Sequence, residues 1–541
     1  MYFKIIIFIL INLVILKNSN SEVFDDIPSV TIIWKNSTTT VLGSISTAWN
    51  NDTFYSFRGI PYAEPPTGTL RFKDPKTLIE MPKIIDARYD GHDCPSIYAT
   101  NSSENCLTIN IYTKTLNHEA NLPVLVLVHP GGLYIGSGLS SFAGPKYLLS
   151  KPIVVVTFNY RLGALGYLNL GTSDIPGNAG FKDQVLALRW LQNYIKYFGG
   201  NSKDVTLIGY SAGALSISLH LTSPLSAELF HKAILMSGSL PPQATLPQST
   251  QMELASRQIK LLNCRATQLS TAESILNCLN KFGGAEIAAT LRGMFVFGKD
   301  NPIYLWLPVV EADFGQERFY TDTLYEQLRT GKFHKIPILY GFTDGEFCTS
   351  AADIVKNQRL EQRFYAEFEE LAPHIFMYER NSNKDVINAA IKSYYLKNST
   401  EGATNFFQLC NLFSDAIIRF GAVRLAKLAS KYTNVYAYKF VYKGEYSNLN
   451  FQTNQSRVEH MDDFMYLFES ELHKFNKQDK DAHLVNLYTN YLYDFIKSRN
   501  IFANPSTAYP TGYTLISNQL EFKRGINFDE YDFWNEHFPL N

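Results

Sequence analysis

The chain has 541 residues, 45% hydrophobic and 18% charged, which supplies ample material for a packed core and excludes global disorder. Lysine plus arginine total 49 against 50 aspartate plus glutamate, a formal net charge of -1. With no basic run of five or more, that balance excludes the electrostatic footprint of a nucleic-acid or anionic-membrane binder.

The first element is an address. Met1–Lys4 carries one positive charge, Ile5–Leu16 is apolar apart from Asn12, and Ser19 and Ser21 supply the small residues of a cleavage site. This order is that of a secretory signal peptide over residues 1–21. The apolar run would rise only ~18 Å as a helix, against ~30 Å of hydrocarbon in a bilayer. No later stretch reaches eighteen apolar residues, and the C-terminus is neither a retention signal nor a lipid-anchor tail. The expected mature chain is therefore soluble and secreted, with no membrane span. Asn36, Asn51, Asn101, Asn398 and Asn454 each open an Asn-x-Ser/Thr glycosylation sequon, in keeping with that compartment. Six cysteines form an even set, and the short separations Cys94 to Cys106 and Cys264 to Cys278 each suit a local disulfide. Whether Cys348 and Cys410 pair is left open.

After these come alternating elements. Val124–Val128, Ile153–Phe158, Val205–Ile208, Ala233–Met236, Ile336–Tyr340 and Val435–Tyr442 read as strands, several continuously apolar as in a sheet buried on both faces. Asp183–Phe198 and Ala212–Leu221 read as helices, as does Asp462–Leu472. Long helical text from Leu254 to Phe297 and from Asp353 to Lys431 predicts insertions over one end of the sheet. The pattern predicts an α/β fold with a large, mostly parallel central sheet flanked by helices. In such sheets ligands sit at the carboxyl ends of the strands.

Gly209-Tyr210-Ser211-Ala212-Gly213 lies between a predicted strand and a predicted helix. A Gly-x-Ser-x-Gly turn there strains the serine backbone and lifts its hydroxyl above the sheet, at a helix N-terminus that favours developing negative charge. A serine hydroxyl needs a base to become a nucleophile. Among the histidines beyond residue 346, His460 alone occupies the connection after the last strong strand. The strand Ile336–Tyr340 feeds a loop with two carboxylates, Asp344 and Glu346, and spacing does not separate them as the imidazole's partner. His129-Pro130-Gly131-Gly132 follows Val124–Val128, so the backbone N–H groups of Gly131, Gly132 and Ala212 are candidates for an oxyanion hole. His129 itself reads as structural. No zinc-ligand spacing and no Gly-x-Gly-x-x-Gly is present, so no metal and no organic cofactor is expected.

With these residues in place the chain resembles the type-B carboxylesterase/cholinesterase family of the α/β-hydrolase fold. The resemblance spans nearly all of the chain after the signal peptide. It includes Phe57–Ala63, Glu104–Asn110, Asn159–Gly163, Gly177–Gln184, Phe198–Gly200, Gly209–Gly213 and Val458–Asp463. It implies a single hydrolase domain over residues 22–541, with Ser211, Glu346 and His460 as the catalytic set and Glu346 favoured over Asp344 by the family spacing. It also implies disulfides Cys94–Cys106 and Cys264–Cys278, and a supporting hydrogen-bond role for Ser237. The activity implied is hydrolysis of small-molecule carboxylic esters through an acyl-enzyme intermediate.

Three departures from the family pattern matter. Asn105 replaces a usual aspartate, leaving Glu104 as the expected partner of Arg58. Tyr210 stands where many members carry glutamate, histidine or glutamine; the glutamine usual in juvenile-hormone esterases is missing, which counts against that assignment. The loop between Cys94 and Cys106 is short and lacks tryptophan, which counts against a choline ester. The alternative is a non-catalytic adhesion protein on the same scaffold, or an esterase that acylates fast, deacylates slowly and so sequesters its ligand. Family members of the adhesion kind typically replace the nucleophile, whereas Ser211 is retained here. Composition and spacing say nothing about oligomeric state.

Overall fold

A computed structural model describes residues 27–35, 37–244, 251–264, 271–397, 406–449, 457–525 and 529–540. The signal segment 1–21 and the sequons at Asn36, Asn398 and Asn454 lie outside the described residues. The described strands are β1 (Ser29–Trp34), β2 (Ser37–Leu42), β3 (Ser44–Thr47), β4 (Thr53–Pro61), β5 (Ile84–Asp86), β6 (Thr108–Thr113) and β7 (Leu122–Val128), followed by β8 (Val154–Phe158), β9 (Gly200–Tyr210), β10 (Lys232–Met236), β11 (Ile338–Thr343), β12 (Val435–Phe440), β13 (Gly512–Ile516) and β14 (Leu520–Arg524). Strands β1, β2 and β5 form a small separate sheet. The other eleven form one sheet in the order β14-β13-β12-β11-β10-β9-β7-β8-β6-β4-β3. From β8 across to β13 every pairing is parallel; the edges turn antiparallel.

The central strands are apolar because both of their faces are covered. Along β7, Val124, Val126 and Val128 enter one hydrophobic cluster while Leu125 and Leu127 enter the other, the two-residue alternation of a strand between two layers. β1 shows the contrasting alternation, with Val30, Ile32 and Trp34 buried and the residues between them exposed. The helix Ala179–Tyr194 starts earlier than its apolar periodicity suggests and tightens into a short turn, Ile195–Phe198, that Gly199 ends with φ 77°. β11 begins at Ile338 rather than Ile336, since Pro337 has no N–H to give the ladder.

One predicted helix is corrected. Asp462–Leu472 holds only the short turn Phe464–Tyr466, because Glu469 exchanges backbone hydrogen bonds with Gly144 and the Asp462 carboxylate accepts the Glu459 and Asn448 N–H groups. One predicted ion pair is also corrected. Glu104 takes Arg71 (Nε–Oε2 2.6 Å), and Arg58 takes Asp90 (2.9 Å). Deeper in the fold, Arg161 clasps Asp183 through two side-chain bonds of 2.7 and 2.8 Å, pinning the end of β8 to the helix Ala179–Tyr194.

All six cysteines are bridged: Cys94–Cys106, Cys264–Cys278 and Cys348–Cys410. The last pair joins residues 62 apart in sequence, whose Cα atoms lie 4.4 Å apart. One helical run, Phe406–Ala429, is long and apolar enough to cross a bilayer by length and composition, but most of it is buried in the core of this fold.

Candidate active site

The candidate residues come from the carboxyl ends of five adjacent strands, β12, β11, β10, β9 and β7. Ser211 follows β9 and opens the helix Ala212–His220 with φ 53° and ψ −115°, a conformation that costs energy in a residue with a Cβ. The turn is held by a Ser211 N–H bond to the Met236 carbonyl (2.9 Å). Its tightness explains the glycines. A Cβ on Gly213 would stand 2.0 Å from the Val128 oxygen, and one on Gly238 would stand 2.2 Å from the Ser211 oxygen.

Glu346 follows β11 and His460 lies in the loop after β12, and the structure brings them together. His460 Nδ1 is 2.5 Å from Glu346 Oε2. The other carboxylate oxygen accepts the Ser237 hydroxyl (2.6 Å) and the Thr343 N–H (2.7 Å). Burial pushes the Glu346 carboxyl up, but the His460 charge and these donors outweigh it and hold the group below the usual glutamate range. An ionised Glu346 fixes a proton on Nδ1, so in the neutral imidazole Nε2 is the free nitrogen. Asp344, the competing carboxylate, instead pairs with Lys439 (2.7 Å) and Arg457 (3.2 Å). The loops are stitched by a Gly345 N–H bond to Val458 (2.8 Å), and the Phe347 ring stacks on the imidazole at 4.3 Å.

Gly131 and Gly132 follow β7 with φ 122° and 60°. Among the described residues their N–H groups, and that of Ala212, donate to no protein acceptor, whereas the Gly131 carbonyl accepts the N–H groups of Tyr134 and Ile135. His129 is fully buried, stacks on Tyr160 at 4.1 Å, and is held by burial at a pKa of about 4. It is a packing residue. No group of three or more His, Cys, Asp or Glu with metal-site geometry occurs among the described residues.

Sequence reasoning missed Tyr304. Its buried hydroxyl faces Ser211 yet makes no hydrogen bond of ordinary geometry, and the residue also lines a cavity of about 690 Å³ whose wall mixes apolar residues such as Leu305 and Met377 with charged ones such as Arg257, Glu369 and Arg380. Nothing in the local pattern Asn301-Pro302-Ile303-Tyr304 signals that position. A second cleft of about 680 Å³ is lined by Lys182, Asp74, Arg189 and Glu317, where Lys182 pairs with Asp74 and Arg189 with Glu317, and its lining has no serine, cysteine or histidine.

A mostly parallel sheet carrying a strained serine turn at the end of a central strand, beside a histidine–carboxylate pair, is an α/β-hydrolase. The carboxylesterase family model matches residues 30–534. Juvenile hormone esterase of Tribolium castaneum is 31% identical over 486 residues, covering 83% of this chain and 81% of that protein. Esterase FE4 of Myzus persicae is 32% identical over 482 residues, covering 85% and 83%. The crystal structure of juvenile hormone esterase from Manduca sexta, with OTFP covalently attached, superposes with a TM-score of 0.80 at 27% identity and covers 95% of this chain and 100% of that one. The chain belongs to the carboxylesterase family and is a serine carboxylic ester hydrolase.

Proposed function

We propose that Ser211, His460 and Glu346 are the catalytic residues of a secreted carboxylesterase working through an acyl-enzyme intermediate, with residues 22–541 as one hydrolase domain. The reading is carried by the 2.5 Å contact between His460 Nδ1 and Glu346 Oε2, on the sheet rim that holds Ser211. His460 Nε2 takes the Ser211 proton as the hydroxyl oxygen attacks the ester carbonyl, and Glu346 stabilises the imidazolium. The Gly131, Gly132 and Ala212 N–H groups receive the oxyanion, each worth about 10²–10³ in rate. His460 then protonates the leaving alcohol, and water repeats the sequence to release the acid. Ser237 supports the pair through Glu346. The cavity that Tyr304 lines has the volume of a small-molecule site, and Tyr304 is its link to the surroundings of Ser211. Secretion is supported by the signal-like N-terminus and three disulfides, and glycosylation by the exposure of Asn51 and Asn101.

A fluorophosphonate probe tests the mechanism. The expected result is a single adduct on Ser211, located by peptide mapping, together with complete loss of p-nitrophenyl acetate turnover. A folded protein that hydrolyses the ester while Ser211 stays unmodified overturns the assignment.

A further inference from the structure

Tyr210, the residue before the nucleophile, departs from what the family usually carries, and the structure gives it a task. Its hydroxyl accepts the Met461 N–H at 2.8 Å, next to His460, where Met461 is held at φ 77°. Its ring meets the His460 imidazole edge-on, with centroids 5.0 Å apart. The same hydroxyl faces Ser237, the donor to Glu346, and the buried carboxyl of Asp463. Asp463 in turn accepts hydrogen bonds from Tyr438 (3.2 Å) and Tyr488 (3.3 Å), both through Oδ2. Its Oδ1 has no partner of ordinary geometry. Tyr210 thus joins the serine turn, the histidine loop and the donor behind the acid in one buried polar network.

We propose that Tyr210 and Asp463 are positioning residues that set the height and charge environment of His460 in ester hydrolysis. This rests on the assignment of Ser211 and His460 above. Phenylalanine at 210 would keep the ring but leave the Met461 N–H without an acceptor, freeing a left-handed turn beside the base. Asp463 is buried and repelled by Glu346, which pushes it up to about 7, while the hydroxyls of Tyr210, Tyr438 and Tyr488 favour its ionised form. Tyr491 packs against Tyr438, and Glu459 and Asp462 lie on the same loop, both with carboxyls raised by burial. An ionised Asp463 adds negative charge behind Tyr210, on the loop that carries His460, and so favours the protonated imidazole; a neutral one does not.

The test compares Tyr210→Phe, Asp463→Asn and Ser211→Ala with wild type in the full-length secreted protein. It reads kcat and KM for p-nitrophenyl acetate from pH 5 to 9, and a melting curve for each variant. Tyr210→Phe is expected to lower kcat about 10–100-fold with KM held within about twofold, the scale of a sub-ångström to ångström displacement of a reacting group. Asp463→Asn removes the charge three residues along the loop from His460, so the kcat/KM profile moves to lower pH over the range where Asp463 is ionised, on the order of half a unit. If Tyr210→Phe does not fold, the Asp463→Asn profile decides alone. Wild-type kcat and superimposable pH profiles in both variants, with Ser211→Ala inactive, overturn the inference and leave the nucleophile standing. A kcat loss that tracks lowered melting temperature and leaves both profiles unmoved also overturns it, since that is a structural effect. Full turnover by Ser211→Ala removes the catalytic assignment and this inference with it.

Discussion

Replacing Glu346 by glutamine isolates the contribution of one charge, because the surrounding bonds dictate how the amide must sit. Oε1 accepts from the Ser237 hydroxyl and the Thr343 N–H, two donors that hold the glutamine carbonyl in that place. The amide NH₂ then faces His460 Nδ1 at the position of the lost 2.5 Å contact. A donor there demands an acceptor, so the imidazole adopts the tautomer protonated on Nε2 and can no longer take the serine proton. The variant also loses the anion beside the imidazolium, worth about 4 kcal/mol at ~4 Å and an effective dielectric of ~20, or roughly 10³ in rate. With the wrong tautomer added, the expected fall in kcat is about 10⁴, the scale known for such a change in a serine triad. The assay is steady-state hydrolysis of p-nitrophenyl acetate beside far-UV circular dichroism, with Asp344→Asn as the comparison. Asp344 is occupied by Lys439 and Arg457, so its variant is expected to keep kcat within about tenfold of wild type, a loss of at most ~1.4 kcal/mol. A folded Glu346→Gln enzyme with near-normal kcat, or an Asp344→Asn enzyme that loses more, refutes the reasoning.

Other consequences can be measured independently. Gly238→Ala sets a Cβ about 2.2 Å from the Ser211 carbonyl oxygen, so the serine turn must move; kcat is expected to drop on the order of 10²-fold, and unchanged kinetics would show that the turn absorbs the methyl group. Arg161→Leu leaves Asp183 buried without its cation, which is expected to cost about 3–5 kcal/mol in urea unfolding; a loss under about 1 kcal/mol contradicts that account. His220 is fully buried between Gln184 and Ser226, and burial lowers its pKa to about 3, whereas the unfolded chain protonates near the ordinary ~6.5. Because the folded pKa is depressed, protons bind the unfolded state first, and stability falls as pH drops below ~6.5, by on the order of 2 kcal/mol at pH 5. His220→Gln is expected to narrow the gap in unfolding free energy between pH 7 and pH 5; an unchanged gap assigns the acid sensitivity elsewhere.

Several features were legible without coordinates because they are local. Continuous apolar runs marked β7, β8 and β10, and the glycine–serine–glycine spacing marked the turn after β9, since a strained turn needs residues without side chains beside it. His460 stood out because it was the histidine in a loop after a strong strand rather than within helical text. Spacing could not choose between Asp344 and Glu346, which lie two residues apart on one loop. The folded chain separates them, since Lys439 and Arg457 reach one carboxylate and His460 the other.

What the amino-acid order determined by itself was therefore the six strands β7 to β12, their alternation with helices, and the local chemistry of the serine turn. These follow from backbone sterics and from which side chains repeat every second or every third to fourth residue. Partner choice across long sequence distances was decided only in three dimensions. Arg71 rather than Arg58 claims Glu104, Gly144 pairs with Glu469 and so denies it a helix, and Tyr210 reaches Met461, 251 residues away. Such pairings depend on which groups the crossover connections deliver to one rim, where burial makes an unmatched charge or N–H costly and so selects the partner that arrives within reach.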